Sequence, residues 1–365
     1  MHSKPVQASN NIAEIIKKWL QSAWYKPTLL SFLIFPVLWL LSQVYALLAF
    51  THRQLYRIGI LKTHKINVPV VVVGNIVTGG GGKTPTVIAL VQHLQAQNIQ
   101  VGVISRGYGR TNHDCLEVTA DSLVSGVGDE PAGVFIATNA PVFVAKRRAE
   151  AAAKLLKTYP NTQVIISDDG LQHHALHHDI AIIVFDDRGL GNGFMLPAGP
   201  LRESKIAAGN SLVLHTGNAT TKLLANLSAT LPKTTAPQFT ARRALASHAL
   251  RTNGSQVSLN ALKTASRPIL ALAGIANPEA FFTMLREAGL NMAETLSFPD
   301  HYNFDSTLGN KYAGYSHKYT VLCTMKDAVK LWKLDPEVLA IPLDFAPEAA
   351  FFEAFDAIVK PTLKA

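Results

Sequence analysis

The stretch VVVVGNIVTGGGGKTPTVIAL, Val70 to Leu90, runs from four valines through four glycines and a Lys-Thr pair into a helix-like segment. Glycines let backbone N–H groups crowd around phosphate oxygens. A lysine there reaches the β- and γ-phosphates, and the following hydroxyl supplies a ligand for Mg²⁺. The usual spacing is G-x-x-x-x-G-K-[ST]. Here Val77 stands where the first glycine is expected, so the cradle reads Val77, Thr78, Gly79, Gly80, Gly81, Gly82, Lys83, Thr84. An apolar strand before the loop and a helix after it are the setting that phosphate binding needs. A bare glycine-rich turn would need neither.

Outward from this loop, apolar β-rich runs alternate with helical ones. VPVVVVGN, QVGVISRGY, PVFVAK, QVIISDDG, DIAIIVFD and NSLVLHTG read as strands, nearly continuous in Val and Ile, as expected of parallel strands covered on both faces. TPTVIALVQHLQAQ, DEPAGVFIAT and RRAEAAAKLLKTY read as helices between them. The alternation predicts an α/β fold: a P-loop NTPase-like, doubly wound, mainly parallel sheet. Composition turns to Thr, Ala, Asn and Pro around residues 218–240, which suggests a linker. Beyond it, the Asn-Gly pair in ALRTNGSQVSL suggests a hairpin. A second, smaller α/β set follows: RPILALAG, a helix opened by Asn277-Pro278-Glu279, YTVLCTM, VLAIPLDF, and a final helix from Glu348. The expected organisation is an anchoring segment at 1–50, a nucleotide-binding domain at 51–225 and a smaller domain at 226–365 that closes a cleft.

Of the 365 residues, 48% are apolar and only 16% charged, and the net charge is +9. A basic surface attracts phosphorylated ligands, anionic membranes or nucleic acid. No RNA-binding signature or Lys/Arg-dense tract is present, so nucleic acid is not an expected partner. The two cysteines are far apart and form no CxxC, which fits a reducing compartment. Thr28 to Phe50 contains no charged residue and is long enough to span a bilayer core. Lys17, Lys18 and Lys26 precede it, Arg53 and Arg57 follow it, and Trp24 and Tyr25 lie where an interface belt would be. Pro36 also permits a kinked, interfacial helix, and a buried core helix is the alternative.

Other motifs carry weaker signals when taken singly. In QVIISDDGLQHH, Asp168 and Asp169 follow a strand, where carboxylates point into the ligand crevice and can hold Mg²⁺. His173, His174, His177 and His178 have helical i,i+4 spacing, but no glutamate completes a zinc motif. A histidine lining the phosphate site is the stronger reading. Asp129 and Glu130 precede Pro131, as helix-start acids do, and Asp300-His301 sits in a Pro-marked turn. Arg202, in LPAGPLRES, can meet a phosphate bidentately or make an ordinary surface ion pair. In CTMKDAVKL, Lys326 and Asp327 are adjacent, which is the wrong spacing for guanine reading, and the glycines at 189–193 open no dinucleotide fold.

Taken together and in this order, GNIVTGGGGKTPT, SRGYGR, GDEP, SDDGLQHH, LPAGPLRE, FPDHYNF and CTMKDAVK resemble the tetraacyldisaccharide 4'-kinase family, the lipid A 4'-kinases of Gram-negative bacteria. The resemblance covers most of the chain. It implies transfer of the ATP γ-phosphoryl group, with Mg²⁺, to the 4'-hydroxyl of a tetraacylated glucosamine disaccharide 1-phosphate, giving lipid IVA. The setting it implies is the cytoplasmic face of the inner membrane. It further implies that Asp129 helps deprotonate the sugar hydroxyl and that His301 orients it. Lys83, Thr84, Asp168, Asp169, Gln172, His173, Arg202 and Glu203 are implied around phosphates and metal, with Tyr108 closing the site. Two other readings of the loop are a P-loop kinase or ligase for another substrate and a membrane-tethered nucleotide switch.

Overall fold

The computed structural model describes residues 4–5, 12–79, 81–204, 206, 209–217, 235–275, 277–300, 302, 304 and 315–363. Gly80, His301 and most of the expected linker lie outside these. The run Val70–Gly74 forms strand β2 in the middle of the larger sheet, completely buried because neighbours cover both faces. Its partners are β6 (Val164–Asp168) and β7 (Ile180–Phe185), both parallel to it. Beyond β6 come β3 (Val101–Ser105), β5 (Val142–Val144) and the antiparallel edge β4 (Leu116–Val118). Beyond β7 come β8 (Ser211–His215), β9 (Gln238–Leu245) and β16 (Leu343–Pro347). Helices α3 (Lys83–Ala96) and α5 (Asp129–Thr138) cover one face, and α6 (Arg148–Thr158) lies on the other. This is the doubly wound arrangement that the sequence predicts.

The smaller sheet places β12 (Ile269–Ala273) between β13 (Met292–Ser297) and β14 (Thr320–Thr324), with β15 (Leu339–Ile341) beyond, all parallel. The Asn-Gly hairpin forms as β10 (His248–Leu250) and β11 (Gln256–Ser258), with Gly254 at φ 79° in its turn. Asn277 caps helix α8 (Pro278–Glu287) through Ala280 N, as the Asn-Pro-Glu signal implies.

Two expectations change. VLAIPLDF is not one strand: Pro342, which lacks an N–H, marks the break, so that β15 stays in the smaller sheet and β16 joins the larger one. Consequently β9, β16 and the final helix α10 (Ala349–Val359), all expected in the 226–365 domain, belong to the larger sheet and its core. Phe351, Phe355 and Val359 are fully buried there beside α3 and Phe239. The smaller sheet is therefore inserted between β9 and β16, and the N-terminal strand β1 (Lys4–Pro5) adds to its edge beside β13.

The N-terminal helices α1 (Ile12–Tyr25) and α2 (Leu29–Arg57) rest on the loop that follows β7. Thr28 and Ser31 form a reciprocal capping box that fixes the start of α2. Its apolar window has mean hydropathy 2.0 but is only 6% buried, which removes the core-helix alternative. Residues that touch the body recur on one stripe: Ser31, Phe35, Ser42, Tyr45 and Arg53. Leu29, Phe32, Leu33, Leu40, Leu47 and Leu48 point outward.

Phe355→Ala is expected to destabilise the nucleotide-binding body by about 3–5 kcal/mol, the usual cost of truncating a buried Phe. Urea unfolding followed by nucleotide-analogue binding checks this. Loss of stability confined to the smaller sheet would contradict the assignment of α10.

Candidate active site

The phosphate loop leaves β2 at Gly74 and enters α3 at Lys83. Gly82, at φ +83°, is the N-cap, and a Cβ there would meet Thr216 Oγ1 at 2.6 Å, so only glycine fits. Thr216, just beyond β8, donates to Gly81 O at 2.8 Å and closes the loop from that side. Val77 forms a bridge with Leu201 and is buried in an apolar cluster, which gives a side chain a use where a first glycine is usual. Thr84 is the second residue of α3, half-buried.

Lys83 is buried at this helix start. Its Nζ lies 3.4 Å from Asp169 Oδ1 and 3.5 Å from Asn75 Oδ1, while Asn75 Nδ2 holds Gly79 O at 2.7 Å. Asp169 sits just past β6 with φ 47°, a left-handed turn that brings its carboxylate round to Lys83. Arg202 Nη1 is 3.6 Å from the same Oδ1. Burial pushes the Asp169 carboxyl up, but Lys83, Arg202 and Arg148 outweigh it and hold it below the ordinary range. Asp168 is fully enclosed. Burial, with Glu130 and Asp169 nearby, pushes it up to about 7. Asp168 Oδ1 accepts no hydrogen bond among the described residues, and Asp169 Oδ1 meets only the two long cation contacts. Two shielded carboxylate oxygens beside a phosphate loop suit a hard divalent cation that completes its shell with phosphate and water.

Gln172 joins this group to the Arg202-Glu203 loop. Its Nε2 donates to Asn75 O at 3.1 Å and Glu203 Oε1 at 3.0 Å, and Arg202 donates to its Oε1 at 3.4 Å. The predicted residues Lys83, Asp168, Asp169, Gln172, Arg202 and Glu203 thus come together. The histidine run differs from the sequence reading. His173, His174, His177 and His178 lie in turns and extended chain, not on a helix. Among the described residues no cluster of three or more His, Cys, Asp or Glu is arranged to hold a metal by itself. Burial lowers His173 and His174 to about 4, so both are neutral at pH 7.

Asp129 opens α5 and is buried. Its Oδ1 accepts from Glu130 N at 3.0 Å, and its Oδ2 lies 3.0 Å from Lys330 Nζ and 4.0 Å from Lys326 Nζ. Both lysines come from helix α9 (Met325–Leu331) of the smaller sheet. They also hold the FPDH loop: Lys326 pairs with Asp300 at 2.8 Å, and Lys330 donates to Tyr302 O at 3.1 Å. His301 itself is not among the described residues. Tyr108 is exposed in the loop whose Gly107 packs against Gly128, the residue before Asp129. The Asp129 carboxylate thus sits where the two sheets meet.

Sequence reasoning missed four residues. Lys326 and Lys330 lie in CTMKDAVK, which the sequence reading used for the guanine comparison and the family resemblance without giving either lysine a role, although their i,i+4 spacing puts both on one helix face. Asn75 lies inside the opening stretch, but its role depends on the loop's fold. Arg148, buried at the start of α6, donates to the carbonyls of Asp168 and Asp169. Nothing in RRAEAAAK marks Arg148, because the stretch reads as an ordinary helix. Arg148 also lines a small pocket of about 10 Å³ with Ser167 and His173, room for one water.

The profile of the family described as "Tetraacyldisaccharide-1-P 4'-kinase" matches residues 34–360. A protein of Polaromonas sp. (strain JS666 / ATCC BAA-500) named "Tetraacyldisaccharide 4'-kinase" is 50% identical over 355 residues, covering 95% of this chain and 96% of that one. The chain belongs to the tetraacyldisaccharide 4'-kinase family. A second relative of that name, from Polaromonas naphthalenivorans (strain CJ2), is 48% identical over 96% of this chain and 95% of its own length. Among solved structures, the "apo" form of LpxK from Aquifex aeolicus in complex with ATP superposes with TM-score 0.73 at 26% identity, over 92% of this chain and all of that one. The 4'-kinase family membership fits the site: a phosphate loop, paired carboxylates and a buried acid at the junction of the two sheets.

Asp168 yields a test. Its folded value lies above the ordinary 3.8, so ionising it weighs increasingly on the metal-free fold as pH rises from 3.8 to about 7. Asp168→Asn is expected to raise the melting temperature of metal-free protein at pH 8 and to leave it unchanged well below pH 4, as scanning calorimetry would show.

Proposed function

We propose that this chain transfers the γ-phosphoryl group of ATP, with Mg²⁺, to the 4'-hydroxyl of a tetraacylated glucosamine disaccharide 1-phosphate, giving lipid IVA in lipid A biosynthesis. The observation that carries the reading is the Lys83–Asp169–Arg202 cluster at the phosphate loop, with Asp129 facing in from the boundary of the two sheets. Lys83 and Arg202 supply positive charge where the transferring phosphoryl group spreads its negative charge. Thr84, Asp168 and Asp169 would hold Mg²⁺, which when bound neutralises the phosphates and aligns them. The cleft of about 1200 Å³ lined by Asp187, Gly217, Arg243, His248 and Lys263 adjoins Thr216 and offers room for the nucleoside end of ATP.

Asp129 accepts the proton of the acceptor hydroxyl, and Lys330 fixes its orientation. Phosphoryl transfer needs little basicity when the hydroxyl is well placed, so a carboxylate paired with a lysine can serve. His301 is expected to act beside Asp129, from the loop that Lys326 and Lys330 hold. Tyr108 would close this end of the site.

The exposed apolar stripe of α2 supports attachment to the inner membrane, with the catalytic body on the cytoplasmic face. The opposite stripe is docked on that body from Ser31 to Arg53. A helix crossing the bilayer would draw the loop docked on its inner stripe, with Arg188, Arg202 and Glu203, into lipid, where charged groups are costly. Helix α2 therefore lies along the membrane surface, its leucines in the acyl region and the basic body toward anionic headgroups.

Incubation with ATP, Mg²⁺ and the lipid disaccharide 1-phosphate is expected to add one phosphate by mass spectrometry. Lys83→Ala and Asp129→Ala should each lower kcat at least a hundredfold, about 2.7 kcal/mol. Addition of phosphate at the same rate by folded Lys83→Ala protein would sink the loop assignment. For the helix, Ile16→Cys should react with a membrane-impermeant maleimide from the same side as the folded body, since the native cysteines are buried. Labelling only from the opposite side of sealed vesicles would mean that the helix crosses.

A further inference from the structure

Five contacts tie the N-terminal helices to a single loop, residues 186–203. Trp24 Nε1 donates to Pro197 O at 3.0 Å, and the Arg188 guanidinium lies 6.0 Å from the Tyr25 ring centre. Phe35 and Phe194 meet edge to face at 5.0 Å. The Tyr45 hydroxyl donates to Arg202 O at 3.3 Å, and Arg53 Nη2 pairs with Glu203 Oε2 at 2.9 Å.

The other side of the same loop carries the phosphate cradle. Thr78 donates to Pro200 O twice, from its amide at 2.8 Å and its hydroxyl at 3.0 Å. Arg202 N donates to Ile76 O at 2.7 Å, and the Arg188 guanidinium is so near Gly79 that a Cβ there would meet it at 2.8 Å. A continuous polar chain then runs from α2 to the lysine: Arg53, Glu203, Gln172 and Asn75, which touches Lys83. Glu203 is shielded from solvent at 12% side-chain exposure, and Arg53 is the foremost influence opposing the effect of burial on its carboxyl.

An anchor alone needs apolar area and basic flanks, and α2 has both on its outer stripe. Nothing in anchoring requires Arg53 to face inward onto a shielded carboxylate, or Tyr45 to hold the carbonyl of a phosphate-facing arginine. We propose that Arg53 and Tyr45 are positioning residues for phosphoryl transfer, acting through Glu203 and Arg202 to hold Gln172, Asn75 and the phosphate loop in register. The helix that attaches the protein to lipid thereby also sets its turnover. This deepens the reading of the chain as a lipid kinase and rests on it.

The test uses the full-length chain in mixed micelles and, for sedimentation, vesicles containing anionic lipid. Arg53→Gln leaves the Glu203 carboxylate without its cation, so kcat is expected to fall about tenfold. Acceptor KM and sedimentation should stay at wild-type values, and Arg53→Lys should restore most of the rate. Tyr45→Phe should lower kcat about threefold. Unchanged kcat with a raised acceptor KM would make Arg53 a headgroup contact and overturn the proposal. So would unchanged kcat with lost sedimentation. If Arg53→Gln does not fold, Tyr45→Phe decides, and a wild-type kcat there overturns it. Equilibrium binding of a fluorescent ATP analogue, without acceptor, separates the two levels: weakened binding in Arg53→Gln supports the coupling even if the wild-type protein leaves the lipid disaccharide unphosphorylated.

Discussion

A single carboxylate, Asp169, draws positive charge from three separate stretches of chain. Lys83 comes from the loop after the first strand of the larger sheet, Arg202 from the loop after Pro200, and Arg148 from the start of a helix on the sheet's far side. Each arrival constrains something else. Lys83 can reach the carboxylate only if the glycines fold back over Asn75 and Thr216. Arg148 holds the main chain of Asp168 and Asp169. Arg202 brings with it the loop on which the N-terminal helices rest. The left-handed turn at Asp169 is what makes this convergence possible. Such backbone strain at a functional position persists because its surroundings over-determine it.

Much of this was legible in the residues. Four buried valines, a glycine run and Lys-Thr forced a strand, a cradle and a helix, and each formed where expected. Asp168 and Asp169 followed from the rule that strand ends face the ligand crevice. What stayed hidden depends on long-range pairing. Lys326 and Lys330 look like solvated helix residues until the smaller sheet carries their helix up against Asp129. VLAIPLDF has the composition of one strand, and only the path of the chain assigns its halves to different sheets. The spacing His173, His174, His177, His178 suits a helix, yet the backbone there is committed elsewhere: His173 N turns back to Gly170 O and His177 N pairs with His64 O. Local periodicity could not reveal that competition.

Helix α2 resolves two demands that pull in opposite directions. An acceptor held in a bilayer requires an apolar surface on the enzyme, while the phosphate chemistry requires charge shielded from water. One amphipathic element meets both by dividing its circumference. The leucine-rich stripe is left free, and the opposite stripe buries Ser31 and Ser42 and carries Tyr45 and Arg53, whose polar groups meet the body. The net charge of +9 gives the chain a basic surface, which attracts anionic ligands before any specific contact forms.

The smaller sheet hangs from the larger by the β9–β16 ribbon, while the N-terminal strand β1 (Lys4–Pro5) joins its edge beside β13. Strands β9 and β16 run antiparallel, with Leu245 opposite Leu343, and both leave the ribbon at the same end. The pairing continues one step further, where Ala246 N donates to Pro342 O at 3.0 Å. A single tether would let the outer body swivel freely. Two tethers cross-linked by hydrogen bonds resist torsion, because twisting would shear the bonds between them, but they permit bending across the ribbon. The ribbon itself therefore bends more readily than it twists. Lys326 and Lys330, carried on the outer body, meet Asp129 across that junction.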